Sequence, residues 1–184
     1  MSIFDQKVIK YEMKPLSSLE KVFPDETPVY RMECQMLSGL WGETVSFQVA
    51  YTGDFVMRER LDVRVVSELA EHVHVRMVPV GRATNGIVDD NYLKTTSGLY
   101  PDLLKDLKDG KVIVYSRQWR SLWVDVDITN EIPAGEYEIE LQLIKEGEVV
   151  CSAKQKVTVI GTELPKLDIM HTEWMHADCL ADYY

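Results

Sequence analysis

The sequence predicts an all-β protein, an antiparallel immunoglobulin-like β-sandwich with one short helix at most. Three observations predict it. Apolar residues fall on every second position through much of the chain, the pattern of strands buried on one face. About eight such runs are separated by Gly, Pro and Asp turns, which suits two facing layers. Only one segment shows helical spacing.

In chain order, the first run alternates Tyr30, Met32, Cys34 and Met36 with Arg31, Glu33 and Gln35. The second places Val45, Phe47, Val49 and Tyr51 on one face and Ser46, Gln48 and Ala50 on the other. Leu61, Val63 and Val65 supply a third, and Val73, Val75 and Met77 a fourth, with His72, His74 and Arg76 on its polar side. Residues 81–110 are less regular, and a connection of that length is often functional or packed on a neighbour. Within it, PDLLKDLKDG at 101–110 has Leu103, Leu104 and Leu107 at helical spacing with Gly110 to end it, and is expected as a short turn or loop helix.

Residues 112–115 read as a further strand, and Leu122, Val124, Val126 and Ile128 as another that leaves Asp125 and Asp127 facing outwards. ITNEIPAGEY is a punctuated connection, Pro133 fixing the backbone and Gly135 freeing it. EYEIELQL then turns Tyr137, Ile139, Leu141 and Leu143 inwards, and Gly147 in the connector KEGE signals a hairpin to a last run from Val149 to Ile160. GTELPK follows with the Gly and Pro of a linker. The economical division is a β-sandwich over residues 1–162 and, over 163–184, a linker and the start of a second domain.

The chain has 184 residues, 46% hydrophobic and 27% charged, the profile of a globular protein, and no apolar run approaches a membrane span. A net charge of −10 argues against a nucleic-acid partner, because a phosphate backbone is held by clustered Lys and Arg. The start lacks the pattern of a secretory signal, and the expected compartment is the cytoplasm. Three cysteines at wide spacing, Cys34, Cys151 and Cys179, fit free thiols, with Cys34 and Cys151 buried.

Chemistry-bearing residue types are densest in HTEWMHADCLADYY, residues 171–184. His171, Glu173, His176, Asp178 and Cys179 include zinc donors, but their spacing matches neither HExxH nor a CxxC knuckle, and no metal or other cofactor is expected. Trp119 and Trp123, with Arg117 and Arg120 nearby, could form an aromatic platform for sugar rings, or equally pack in a core. Asp25-Glu26 lies between Pro24 and Pro28 and reads as a solvated loop. The motifs GxSxG, GxxxxGK[ST] and GxGxxG do not occur, and the sandwich offers no catalytic constellation.

The run LPKLDIMHTEWMHADCLADYY resembles the junction of glycoside hydrolase family 123 and its uncharacterised bacterial relatives, where an N-terminal β-sandwich passes into a catalytic barrel. YPDLL at 100–104, QWRSLWVDVDI at 118–128 and IPAGEYEIEL at 132–141 are similar to the sandwich of the same family, so the resemblance covers most of the chain from about Tyr30 onwards. It implies hydrolysis of terminal N-acetyl-β-galactosaminides by a substrate-assisted, retaining mechanism. The sugar's own acetamido group attacks the anomeric carbon, with an adjacent Asp-Glu pair of the barrel orienting that group and protonating the leaving oxygen. Asp25-Glu26 does not match that pair, and no catalytic residue is expected in this chain.

The resemblance further implies that residues 167–174 are the barrel's first strand. His171, Glu173, Trp174, His176 and Asp178 would then line or brace the sugar pocket at the strand's C-terminal end, once the rest of the barrel is present. Met175 departs from the aromatic residue expected there. The implied partners are the chain's own C-terminal barrel and a glycan with a terminal N-acetylhexosamine. The alternative is a stand-alone carbohydrate-binding β-sandwich using Trp119 and Trp123.

Overall fold

The computed structural model describes residues 10–28, 36–55, 58–83, 97–166, 168, 170 and 172. Among the described residues twelve strands form most of the backbone: β1 (Lys10–Ser17), β2 (Met36–Trp41), β3 (Glu43–Asp54), β4 (Glu59–Val66), β5 (Val73–Val78), β6 (Val80–Ala83), β7 (Gly98–Pro101), β8 (Lys105–Asp106), β9 (Lys111–Val114), β10 (Arg120–Ile128), β11 (Gly135–Lys145) and β12 (Glu148–Glu163). Among the described residues the one helical element is a 3-10 turn, Ala70–His72.

Two five-stranded sheets face each other, one in the order β1-β3-β10-β5-β8 and the other β2-β12-β11-β4-β9; β6 and β7 pair apart from them. Lettered as in immunoglobulin domains, β1, β3, β10 and β5 take the places A, B, E and D, and β12, β11 and β4 the places G, F and C. The predicted sandwich is therefore present, with one departure. β2 runs parallel to β12, and every other strand pair is antiparallel.

Alternation builds the core. Phe47 and Val49 from β3 and Leu122, Val124, Val126 and Ile128 from β10 meet Leu61 of β4, Ile139, Leu141 and Leu143 of β11, and Val157 and Val159 of β12. Side chains at every second position point to one face, so each strand needs only half its residues apolar. The register fixes which half: Val124 stands opposite Phe47 in β3 and Val75 in β5, and a slip of one residue would turn each face over. Tyr11 Oη donates to Glu59, which also accepts from Lys145 Nζ at 2.9 Å, and so ties edge strand β1 to the opposite sheet.

The segment 101–110 contains no helix. Pro101 closes β7, Lys105 and Asp106 pair with β5, and the chain then reverses through Asp109 and Gly110 at φ 56° and 64°. Positive φ at both central residues is the hairpin geometry that Asp-Gly favours. The Asp-Gly signal decides the backbone, and Leu107 packs against the core from a loop. The turn at Glu146-Gly147, φ 52° and 91°, is the hairpin that KEGE signals.

Alternation does not reveal β1. Its buried residues Met13 and Leu16 lie three apart, and Pro15 sits between them, which the chain tolerates because β1 is an edge. Residues 30–35 of the first expected run lie outside the described residues, as does Cys34; β2 begins at Met36. Cys151 is a free thiol, half-buried on β12, and burial raises its pKa.

At the start of β11, Tyr137 Oη donates to the carbonyl of Pro133, four residues upstream, at 2.8 Å. This is the tyrosine corner of immunoglobulin-like domains; two residues on, where antibody domains place a disulfide cysteine, the fully buried Ile139 stands. Replacing Tyr137 by Phe keeps the ring and deletes the bond. Urea denaturation should show the Tyr137→Phe protein less stable by about 1 kcal/mol with an unchanged m-value.

Candidate functional site

The inward turn of Leu122, Val124, Val126 and Ile128 sends Trp119, Ser121, Trp123, Asp125 and Asp127 to the outer face of the first sheet. That face has two halves. Over one, the segment after β1 folds back and buries Trp119 with Leu16, Val22 and Ala50, leaving Trp119 7% exposed. Gln48 clamps this segment: its Nε2 donates to the carbonyl of Glu20 at 2.8 Å and of Ser18 at 3.2 Å, while its Oε1 accepts from Ser121 Oγ at 2.9 Å. Lys14 Nζ lies 5.0 Å from the centre of the Trp119 ring.

The other half is an open concavity of about 450 Å³ lined by Thr44, His74, Arg76, Asp106, Asp125 and Asp127. Asp125 is its centre. Oδ1 accepts from Ser46 Oγ at 2.6 Å and from Trp123 Nε1 at 2.7 Å, and Oδ2 pairs with Arg76. Next to it Asp127 accepts from Thr44 Oγ1 at 2.6 Å and pairs with His74 Nε2 at 3.2 Å. The register produces both groups, since Ser46 and His74 flank Asp125 directly on either side, and Thr44 stands opposite Asp127.

Burial pushes the Asp125 carboxyl towards its neutral form, but the hydrogen bonds from Ser46, Trp123 and Arg76 and the Arg76 charge outweigh it and hold its pKa below the usual range. A carboxylate so held cannot act as a general acid, which requires a raised pKa. Among the described residues no group of three His, Cys, Asp or Glu could hold a metal ion.

Trp123 is half-buried beside Asp125, with its indole N–H engaged; Trp119 lies under the β1 segment, so the two rings share a sheet face but different halves of it. His72 belongs to the 3-10 turn, so it shares no strand with His74, which is on β5. Asp25 and Glu26 lie in a turn in which Glu26 N–H reaches the Phe23 carbonyl at 3.4 Å. His171, Glu173, Trp174, His176 and Asp178, together with Cys179, lie outside the described residues. Sequence reasoning placed Asp125 and Asp127 outwards but missed Ser46, Thr44 and Arg76 as their partners, because cross-strand pairing depends on the register.

No family model matches the chain, and no curated protein matches it. Its fold is similar to part of a family 123 glycoside hydrolase from Clostridium perfringens, a structure that concerns glycolipid glycan hydrolysis, at 12% identity and a TM-score of 0.57. That likeness covers 84% of this chain and 27% of the hydrolase, so the chain spans about a quarter of it. A β-glucosidase from Listeria innocua also aligns, at 11% identity over 85% of this chain and 17% of the enzyme, with a TM-score of 0.38, too loose to carry an argument.

Asp125→Asn should destabilise the protein by about 2 kcal/mol at pH 7, because a charged acceptor of three donors becomes a neutral one. With the folded pKa depressed, the Asp125 contribution is complete above the unfolded value of about 3.9 and is lost as pH falls through the folded pKa. Thermal melts from pH 7 downwards should show the wild-type and Asp125→Asn curves converging only below about pH 4.

Proposed function

We propose that the chain is the non-catalytic N-terminal domain of a glycoside hydrolase similar to family 123. Residues 1–162 are its accessory sandwich, and residues 163–184 are the linker and first strand of a catalytic barrel. The observation that carries the reading is the fold likeness to a quarter of the family 123 hydrolase, matched by nearly all of this chain. The resemblance of LPKLDIMHTEWMHADCLADYY to the sandwich-to-barrel junction supports it independently, and so does the outer face, whose central carboxylate is held ionised.

In this reading the barrel is the partner of the sandwich. His171, Glu173, Trp174, His176 and Asp178 face a sugar pocket that the remaining strands complete, and the parent enzyme removes terminal N-acetyl-β-galactosamine by the substrate-assisted route. A barrel takes about 250 residues, far more than follow the linker, so residues 1–184 alone are inactive. A stand-alone carbohydrate-binding sandwich is the second reading, favoured by the open side of Trp123.

A chromogenic N-acetyl-β-galactosaminide separates the two. The parent protein carrying the barrel should release the chromophore while residues 1–184 give no more than the buffer rate. Release by residues 1–184, or a silent parent, would contradict the reading.

A further inference from the structure

We propose that the end of the sandwich remote from β12's exit carries a binding site for a neutral carbohydrate ring. The choice of a saccharide rests on the glycosidase reading; the cavity rests on geometry alone. It is a recess of about 350 Å³ lined by Pro24, Asp25, Leu99, Tyr100, Arg117 and Gln118, within the size range of small-ligand sites.

Its position follows from the strands. β12 ends at Glu163, paired with Trp41 just before β3 begins, whereas Arg117 is tied to Gly53 and Asp54 at the other end of β3. Twelve residues at about 3.3 Å each separate the two ends by roughly 35 Å.

The lining suits a pyranose. Leu99, 42% exposed, Pro24 and the Tyr100 ring form an apolar wall for the C–H face of a sugar. Arg117 and Gln118 bring planar side chains to the rim, whose Nη and Nε2 donors suit the hydroxyls of a sugar, with Arg117 Nε held by Asp54 and Gln118 Oε1 by Arg120. The walls are built before any ligand arrives: Trp119 N–H donates to the Pro24 carbonyl at 3.0 Å, Thr52 Oγ1 to the Gln118 carbonyl at 3.1 Å, and Tyr100 packs edge-on against Phe23 with centroids 5.6 Å apart.

Arg117 is fixed at the rim. Its φ is 56°, in the left-handed region where glycine is at ease and arginine is not, yet its N–H bonds the Gly53 carbonyl at 2.8 Å and its Nε bonds Asp54 at 3.0 Å. The Asp54 bond accounts for the arginine and holds its guanidinium beside the recess.

The test is a titration of isotope-labelled residues 1–184 with N-acetylgalactosamine, galactose and a short β-linked oligosaccharide, followed by amide NMR shifts. Saturable shifts at Leu99, Tyr100, Arg117 and Gln118 are expected with at least one sugar. Arg117→Gly should keep or raise the melting temperature while weakening binding about tenfold, the worth of one charged hydrogen bond. Saturation mapped to Trp123 and Asp125, no saturation at tens of millimolar sugar, or unchanged binding in Arg117→Gly would overturn the site. Binding by a parent protein without glycosidase activity would uphold the site and sink only the hydrolase reading; hydrolysis without binding would do the reverse.

Discussion

The structure depends on one crossing, the passage of the chain from the first sheet to the second between β10 and β11, residues 129–134. The crossing is short and therefore closely held. Ile132 turns inwards and is 3% exposed, its carbonyl accepts the indole N–H of Trp41 at 2.9 Å, and the Ile128 carbonyl accepts the Gly42 N–H at 2.7 Å. Tyr137 closes the corner from β11, and Gly161 of β12 passes so near that an added Cβ would lie 2.9 Å from that of Ala134. Residues of β2, β11 and β12 converge here, and the Ile132 N–H reaches the Thr129 carbonyl at 3.2 Å, while the buried Thr129 hydroxyl has no hydrogen-bond partner.

That constraint reaches the outer face. Once Ile128 and Ile139 are fixed inwards on either side of the crossing, parity assigns the faces of β10 and of β11 as far as Leu143, where the register shifts. Asp125 and Asp127 must then point away from the core, beside Ser46, Thr44, His74 and Arg76, and they become a paired polar ladder. A face whose carboxylates are paired in this way contributes rigidity. The recess beside Arg117 lies at the other end of β3 from the exit of β12.

Much of this was legible in the sequence because alternation is local. EYEIELQL announces its inward and outward faces without knowledge of its neighbours, and KEGE announces its hairpin. What was not legible depends on pairing between distant segments. β1 hid behind Pro15, the parallel placement of β2 has no local signature, and the partners of Asp125 follow from a register set by the core. At 101–110, expected as a short turn or a loop helix, the turn is what forms, and Asp109-Gly110 at positive φ is the local signal that decides it. Arg117 shows no signal at all in the sequence, since only its φ distinguishes it from an ordinary surface arginine.

Native-state hydrogen exchange tests the central dependence most directly. If the crossing holds the two sheets together, the Gly42 amide and the core amides of β10 and β11 should exchange only by global unfolding, with one common free energy that falls together in mild denaturant. Exchange at Gly42 through a low-energy local opening, while the amide of Leu141 stays fully protected, would show that the sheets stand without the crossing and would contradict the account.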